Sequence, residues 1–359
     1  MQHFNNTNLE DLIKKAIEDG ASDIHLSSGN FPALRVHGEL DYIEDFDKFS
    51  HEDLEKFTSE ILTESQLERF TRTGDLDFAF TYETQRFRGS LYREMQGLSL
   101  TFRLIPSVIR SLDELGLPQT LKTISGKHRG LFLTTGPTGH GKSSTMAALV
   151  SEINHTRKCH IDTSEDPIEY VHTPELAVIH QREVGHDTEN FASGIRHVLR
   201  QDPDVILIGE MRDLETISAA ITAADTGHLV LGTLHTQDAS QSIERIVDVF
   251  PPHQQNQIRL QLAYTLIGIC SQQLLPAQGF KGRFCATELL LSTPAVRSNI
   301  REGKTASLRN SMLTGMSTGM HTMEQDLVRL FRAGSISKST AKSYAYDLPE
   351  IERLLQMNI

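Results

Sequence analysis

From residue 119 to about 235 the chain alternates between two patterns. Runs of consecutive apolar residues, "GLFLTT" (130–135), "VILI" (205–208) and "LVLGTL" (229–234), are short. Strands that are apolar at every position are buried on both faces, as in a parallel sheet with helices on either side. Between them lie stretches with helical periodicity: "KSSTMAALVSEIN" (142–154), "NFASGIRHVLRQDPD" (190–204) and "DLETISAAITAADTG" (213–227). The second carries Phe191, Ile195, Val198 and Leu199 on one face. The third has Asp213 placed as an N-cap and Gly227 as a stop. "CHIDTSED" (159–166) reads as a further strand, so this part is α/β.

Before residue 104 the pattern is different. "FPALRVHGEL" (31–40), "DLDFAFTY" (75–82), "RFRGSLYREM" (86–95) and "LSLTFRLIP" (98–106) partly alternate and are rich in aromatic and β-branched residues. They predict half-buried strands of a mostly antiparallel sheet. "NLEDLIKKAIEDGA" (8–21) predicts a helix with Leu9, Leu12, Ile13 and Ile17 on one face and Gly20 as its stop. "SHEDLEKFTSEILTESQLERF" (50–70) predicts a second helical stretch. The change of pattern, with two prolines in "LIPSVIRSLDELGLPQT" (104–120), divides the chain. The expected layout is a smaller N-terminal α+β domain over 1–105, a linker over 106–118 and an α/β domain over 119–359. The last portion, 294–359, is polar and helical.

The chain has 359 residues, enough for two domains. Its formal charge of −12 disfavours a nucleic-acid partner, because phosphates repel an acidic surface unless basic residues cluster. Cys159, Cys270 and Cys285 form no C-x-x-C pair, which argues against a disulfide framework or a zinc module. The polar start "MQHFNNTNLEDLIKK" is unlike a signal peptide. The apolar runs are far shorter than the ~18 residues a spanning helix needs. A cytoplasmic location is expected, with any membrane contact made through a partner.

"GPTGHGKS" matches G-x-x-x-x-G-K-[ST] at Gly136, Gly141, Lys142 and Ser143. An apolar strand precedes it and a helix follows, the context the pattern requires. Glycines let backbone N–H groups converge on phosphate oxygens, and the helix aims its positive end at them. The expected nucleotide-binding loop is Gly136, Pro137, Thr138, Gly139, His140, Gly141, Lys142, Ser143 and Ser144. Lys142 would reach the β- and γ-phosphates of ATP, and the Ser143 hydroxyl would ligate Mg²⁺.

Such a loop needs a carboxylate to handle magnesium or position water. "VILIGE" ends on Glu210, with Gly209 where many ATPases of this kind carry an aspartate. A glutamate directly after buried positions is costly unless used. Glu165, with Asp166, follows the "CHIDT" strand and is a second candidate; a solvated acidic turn is the competing reading. Ser143, Glu165 and Glu210 are the expected metal ligands. His228 and His235 bracket "LVLGTL". Seven residues apart on a strand they face opposite sides, and both reach one site only if the strand ends near Thr233.

"GPTGHGKSS", "SEDPIEYVH", "QREVGHDT", "LRQDPDVILIGEMRDLETI" and "TGHLVLGTLHT" resemble the motifs of the secretion and type IV pilus ATPase superfamily. Within it they are similar to the PilT-type pilus-retraction ATPases, over nearly the whole chain. The resemblance implies a homohexamer of subunits with a PAS-like N-terminal domain and a RecA-like P-loop ATPase domain. Hydrolysis would swing one domain against the other and drive pilus retraction at the inner face of the inner membrane, through an inner-membrane platform protein. By similarity 136–144 is the Walker A loop. Glu165 lies in the acidic box, Glu210 ends the Walker B strand, and His228 and His235 form the histidine box.

The resemblance also implies arginines from the N-terminal domain that reach the phosphates. The candidates are Arg88, Arg93 and Arg103, with Arg88 and Arg103 fitting the pattern better; any one of them could instead be a solvated charge on a strand face. "TPAVRSNIREGK" (293–304) resembles the motif linked to retraction, with Arg297 and Arg301 on one helix face. Ser298 and Asn299 depart from it, and in the glycine loop His140 stands in place of the family's usual serine. Assembly and secretion ATPases typically add an N-terminal extension and a four-cysteine zinc element, neither of which is seen here. The alternatives are an ATPase for pilus assembly or secretion, against which those two absences speak, and, more remotely, a nucleic-acid translocase.

Overall fold

The computed structural model describes residues 7–36, 38–83, 85–105 and 108–357. Pro106 and Ser107, the start of the expected linker, lie outside the described residues, as do the first six. The chain falls into two units, Met1–Val108 with Glu169–Val171, and Ile109–Ile168 with His172–Ile359.

The first unit opens with α1 (Thr7–Glu18). Leu9, Leu12, Ile13 and Ala16 are buried, whereas Ile17, expected on this face, is 38% exposed. Strands β1 (Asp23–Ser27), β2 (Ala33–Val36) and β3 (Glu39–Tyr42) follow. The stretch 50–70 is two helices, α2 (His51–Ile61) and α3 (Glu64–Thr73). Thr63 separates them: its hydroxyl accepts the Gln66 N–H while the Gln66 side chain accepts the Thr63 N–H. This capping box starts a new helix where apolar spacing alone reads as one.

Strands β4 (Asp75–Tyr82), β5 (Gln85–Glu94) and β6 (Gly97–Ile105) complete a sheet of order β3-β2-β1-β6-β5-β4. Every neighbouring pair is antiparallel. One face packs an aromatic core, with Phe57 edge-on to Phe102 at 5.6 Å and Phe80 stacked on Phe87 at 5.0 Å. Gly89 makes room for it, since a Cβ there would lie 2.4 Å from Phe78 Cζ.

In the second unit the order is α4 (Thr120–Ser125), β7 (Gly130–Thr135), α5 (Lys142–Thr156), β8 (His160–Glu165) and β9 (Val178–Glu183). Then come α6 (Phe191–Val198), β10 (Val205–Ile208), α7 (Leu214–Asp225), β11 (Leu229–Leu234), α8 (Ala239–Asp248) and α9 (Pro252–Thr265). The sheet runs β13-β12-β7-β11-β10-β8-β9, with β12 (Leu266–Pro276) and β13 (Arg283–Leu291) forming a long hairpin on one side. All other neighbours are parallel.

Apolar residues of α4 and α5 pack on one face of the sheet, through Phe132, Val205 and Leu231. Those of α6 to α9 pack on the other, through Leu133, Ile206 and Val230. Asp213 caps α7 by accepting the Thr216 N–H. The hairpin is hard to read from hydropathy because Ser271, Gln272, Gln273, Thr287 and Glu288 are polar yet buried.

The C-terminal portion holds α10 (Pro294–Arg301), α11 (Leu308–Thr314), α12 (Met323–Arg332), α13 (Lys338–Ser343) and α14 (Leu348–Gln356). Arg309 ties it together, reaching Glu324 at 2.7 Å and Glu350. Among the described residues no helix is long and apolar enough to cross a membrane.

Candidate active site

Parallel strands β7, β11, β10 and β8 end at one edge of the sheet, and the candidate residues emerge there. β7 runs buried to Thr135, and the chain turns through Gly136–Gly141 into α5. Gly136, Gly139 and Gly141 have φ of 142, 79 and 84°, which other residues rarely adopt. A Cβ on Gly136 would lie 2.4 Å from the Gln272 carbonyl oxygen. Glycine is thus required both for the turn and for its approach to β12.

Lys142 Nζ spans the loop, donating to the carbonyls of Gly136 (2.7 Å) and Pro137 (3.0 Å). Ser143 is exposed in the first turn of α5, next to the half-buried Ser144. β12 braces the loop from outside: Gln272 Nε2 donates to the His140 carbonyl (2.7 Å), and Gln272 Oε1 accepts from Thr145 Oγ1 (2.9 Å). The His140 ring explains its own departure from the motif. Its Nδ1 accepts the Leu274 N–H at 3.1 Å, which a serine is too short to do by the same reach. Burial, then the charges of Lys142 and Arg283, lower the His140 pKa and keep that nitrogen an acceptor.

Beside the loop, Glu210 accepts from His235 Nε2 at 2.6 Å and from Arg212 Nε. The carboxylate can only accept, so the ring proton of His235 sits on Nε2. Nδ1 therefore faces Thr138 Oγ1 (3.3 Å) and Lys142 Nζ (3.4 Å) as an acceptor. His235 links Lys142 to Glu210 through its two nitrogens. Burial and then the Lys142 charge lower its pKa, against the pull of Glu210. A cavity of about 560 Å³ opens here, lined by Thr138, Glu210, Arg212, His235 and Arg245 among others. Sequence reasoning passed over Arg212, Arg245 and Gln272. Arg212 lies inside the quoted "GEMRD" run; the other two come from distant elements and carry no local signal.

Glu165 ends β8, its carboxylate accepting from Thr163 Oγ1 (2.7 Å) and Gln181 Nε2 (3.1 Å). It adjoins the Glu210 turn: the Gly209 N–H donates to the Ser164 carbonyl at 2.8 Å. A Cβ on Gly209 would sit 3.2 Å from Glu165 Cα, which accounts for glycine where an aspartate is often found. Asp166 is exposed.

His228 is not brought to this cluster. β11 spans Leu229–Leu234, so His228 precedes the strand and His235 follows it, at opposite edges of the sheet. The His228 ring bonds the Ala223 carbonyl at the end of α7 (2.9 Å).

The arginines of the first unit separate likewise. Arg88 and Arg103 are direct cross-strand partners on β5 and β6. Like charges in that relation destabilise a sheet, so the pair asks for an anion. Arg103 has one in Asp23, at 2.9 Å, and Arg88 a looser one in Glu169, at 3.9 Å. Arg93 lies five residues along β5 from Arg88 and so on the other face, where it covers the Phe70 ring at 5.2 Å. On α10, Arg297 and Arg301 are exposed while Val296 and Ile300 are buried. Asn299, polar where the motif is apolar, donates to Ser311 Oγ on α11 (3.2 Å).

A glycine loop between a buried strand and a helix, with carboxylates and a histidine at the ends of neighbouring parallel strands, defines a mixed α/β protein built to handle a phosphorylated ligand. The profile described as "Type II/IV secretion system protein" matches residues 3–331, and the chain belongs to that family. It is 42% identical to the type IV pilus retraction ATPase PilT of Pseudomonas aeruginosa, over 95% of this chain and 99% of that one. It is 41% identical to a twitching motility protein of Neisseria gonorrhoeae, over 90% and 88%. The crystal structure of the pilus retraction motor PilT with bound ADP aligns at a TM-score of 0.89 and 43% identity, covering 96% of this chain and 98% of that one.

Proposed function

We propose that this chain is a homohexameric motor that hydrolyses Mg-ATP to drive type IV pilus retraction. Its relatives at 41–42% identity carry the retraction and twitching functions. The observation that carries the reading for this chain is the linkage Lys142–His235–Glu210 beside the glycine loop. In this reading 1–105 is the PAS-like domain, 106–118 the linker and 119–359 the RecA-like ATPase domain. The motor works on the cytoplasmic side of the inner membrane and turns a platform protein there.

The loop amides and the N-terminus of α5 hold the phosphates, and Lys142 exchanges the Gly136 and Pro137 carbonyls for them. Such an exchange releases Lys142 from His235 at the moment nucleotide arrives. Glu210 positions the attacking water and takes its proton, with His235 reporting the position of Lys142 to it. Arg212 must yield for Glu210 to do so, so its contact marks a resting state. Glu165 supports the turn on which Glu210 stands.

The hydroxyl of Ser143 with the carboxylates Glu210 and Glu165 is an all-oxygen donor set, which suits Mg²⁺. The cradle that a Cβ at Gly136 would fill suits the phosphates it accompanies. Held there, the ion would supply positive charge that offsets the charge developing on the transferred phosphoryl group. Arg88 and Arg103, set side by side, offer guanidinium charge to the same transition state. His228 stands at the opposite edge of the sheet from the glycine loop, and Arg93 on the opposite face of its own sheet from Arg88.

The test is a count of surface pili on cells lacking this protein, complemented with wild type or Lys142→Ala. Excess pili that only the wild type returns to normal are expected. Bald cells would make the protein an assembly ATPase.

A further inference from the structure

At the other edge of the same sheet, where β8 begins, lies chemistry the nucleotide site does not use. His160 and Asp162 are two residues apart on β8 and share a face. His180 on the edge strand β9 is the register partner of Asp162. His160 Nε2 lies 2.9 Å from His180 Nδ1. One ligand atom from each of the three residues falls within 4.8 Å of the others.

Asp162 is 0% exposed, yet neither carboxylate oxygen has a hydrogen-bond partner. Buried carboxylates are normally paired or bound to a metal. Arg182, also on β9, lends it charge but no hydrogen bond: Nη1 is itself buried without a hydrogen-bond partner, and Nη2 donates to the Asp187 carbonyl at 3.1 Å.

The histidine tautomer fits a ligand. His160 Nδ1 is 3.1 Å from the Asp202 carbonyl, which can only accept, so the ring proton is there and the lone pair is on Nε2. A metal-bound imidazole typically donates its other N–H to a carbonyl in this way. The His160 backbone N–H is fixed in turn by Asp204 Oδ2 at 2.9 Å. Two imidazoles and one carboxylate suit zinc and its neighbours rather than calcium or magnesium. Bonds near 2.0–2.1 Å in a tetrahedron separate ligand atoms by roughly 3.3 Å. That separation lies between the 2.9 Å of the histidine pair and the 4.8 Å span of the set.

We propose that His160, Asp162 and His180 bind a divalent transition cation of the zinc type, with water completing the shell. Exposed His180 is the ion's entry point. Parallel strands put this edge opposite the glycine loop, so the ion is structural: it fastens edge strand β9 to β8, whose far end carries Glu165.

The full chain, stripped with a chelator, is titrated with Zn²⁺ against a chromophoric competitor, with thermal unfolding followed alongside. One equivalent bound per chain is expected, together with an unfolding midpoint that rises with Zn²⁺ concentration. His180→Asn and Asp162→Asn should each weaken binding at least about tenfold. Their ATP hydrolysis without zinc should equal the wild type's. His180→Asn keeps the test open if the buried variant does not fold, since its site is exposed. The proposal is overturned if zinc leaves the midpoint unmoved, or if His180→Asn binds zinc as tightly as the wild type. In the first case the histidines are only a hydrogen-bonded pair; in the second the ion sits elsewhere.

Discussion

In the N-terminal sheet, β5 turns Phe87, Gly89 and Leu91 inward and Arg88 and Ser90 to the other face. In the second sheet, β7, β10 and β11 bury every residue. An antiparallel sheet with one open face can present charge anywhere along a strand. A parallel sheet covered on both sides can present it only where strands stop. Glu165, Glu210 and His235 stand at such ends, and Arg88 and Arg103 in the middle of a face. The two units also differ in core chemistry, one built on stacked phenylalanines and the other on aliphatic residues shared between strands and helices.

The sharpest way to break this contrast is at a strand end. Glu210→Gln should lower kcat for ATP hydrolysis by about 10²–10⁴-fold while ATP still binds, as the loss of a general base does. Turnover like the wild type's in a phosphate-release assay would remove Glu210 from the chemistry.

On the open face, Arg88→Ala should lower kcat by about 10²–10³-fold, the usual effect of losing one charge-stabilising donor. Its unfolding midpoint should hold, because a like-charge cross-strand pair is relieved while only the long, solvent-screened contact to Glu169 is lost. A drop in stability with unchanged hydrolysis would make the arginine a structural charge. Arg103 is the poorer test, since its removal takes the close partner of the buried Asp23.

The smallest effect concerns a polar group buried inside the second sheet. Burial pushes the Glu288 pKa up from 4.5 to about 7, only partly offset by the Ala239 N–H at 3.0 Å. Between those values the folded chain keeps a proton that the unfolded chain releases. Stability therefore falls as pH rises through that window, by up to about 3 kcal/mol. Glu288→Gln should flatten the profile and be the more stable protein at pH 8. Denaturant midpoints at pH 5 and pH 8 decide it, and parallel profiles for the two proteins would show that Glu288 does not titrate there.

Much of this was legible in the residues. The run of buried positions in "GLFLTT", the glycine spacing that follows and the helix start at Lys142 form one local signal. Asp213 and the strand ends at Glu165 and Glu210 are local too. These features depend on the period of side chains and on what a few neighbouring dihedral angles allow, and both are written in adjacent residues.

The remainder is non-local. His228 and His235 look equivalent in "GHLVLGTLH", and only the span of β11 sends them to opposite edges. Arg93 and Arg88 look alike in "RFRGSLYRE", and only the side of the sheet that buries Phe87 separates them. Gln272 reaches the loop because β12 lies beside β7, more than a hundred residues away in sequence. His160, Asp162 and His180 meet because β9 pairs with β8 in a single register. Periodicity states which residues share a face; strand order and register, set by the packing of the whole chain, decide what that face meets.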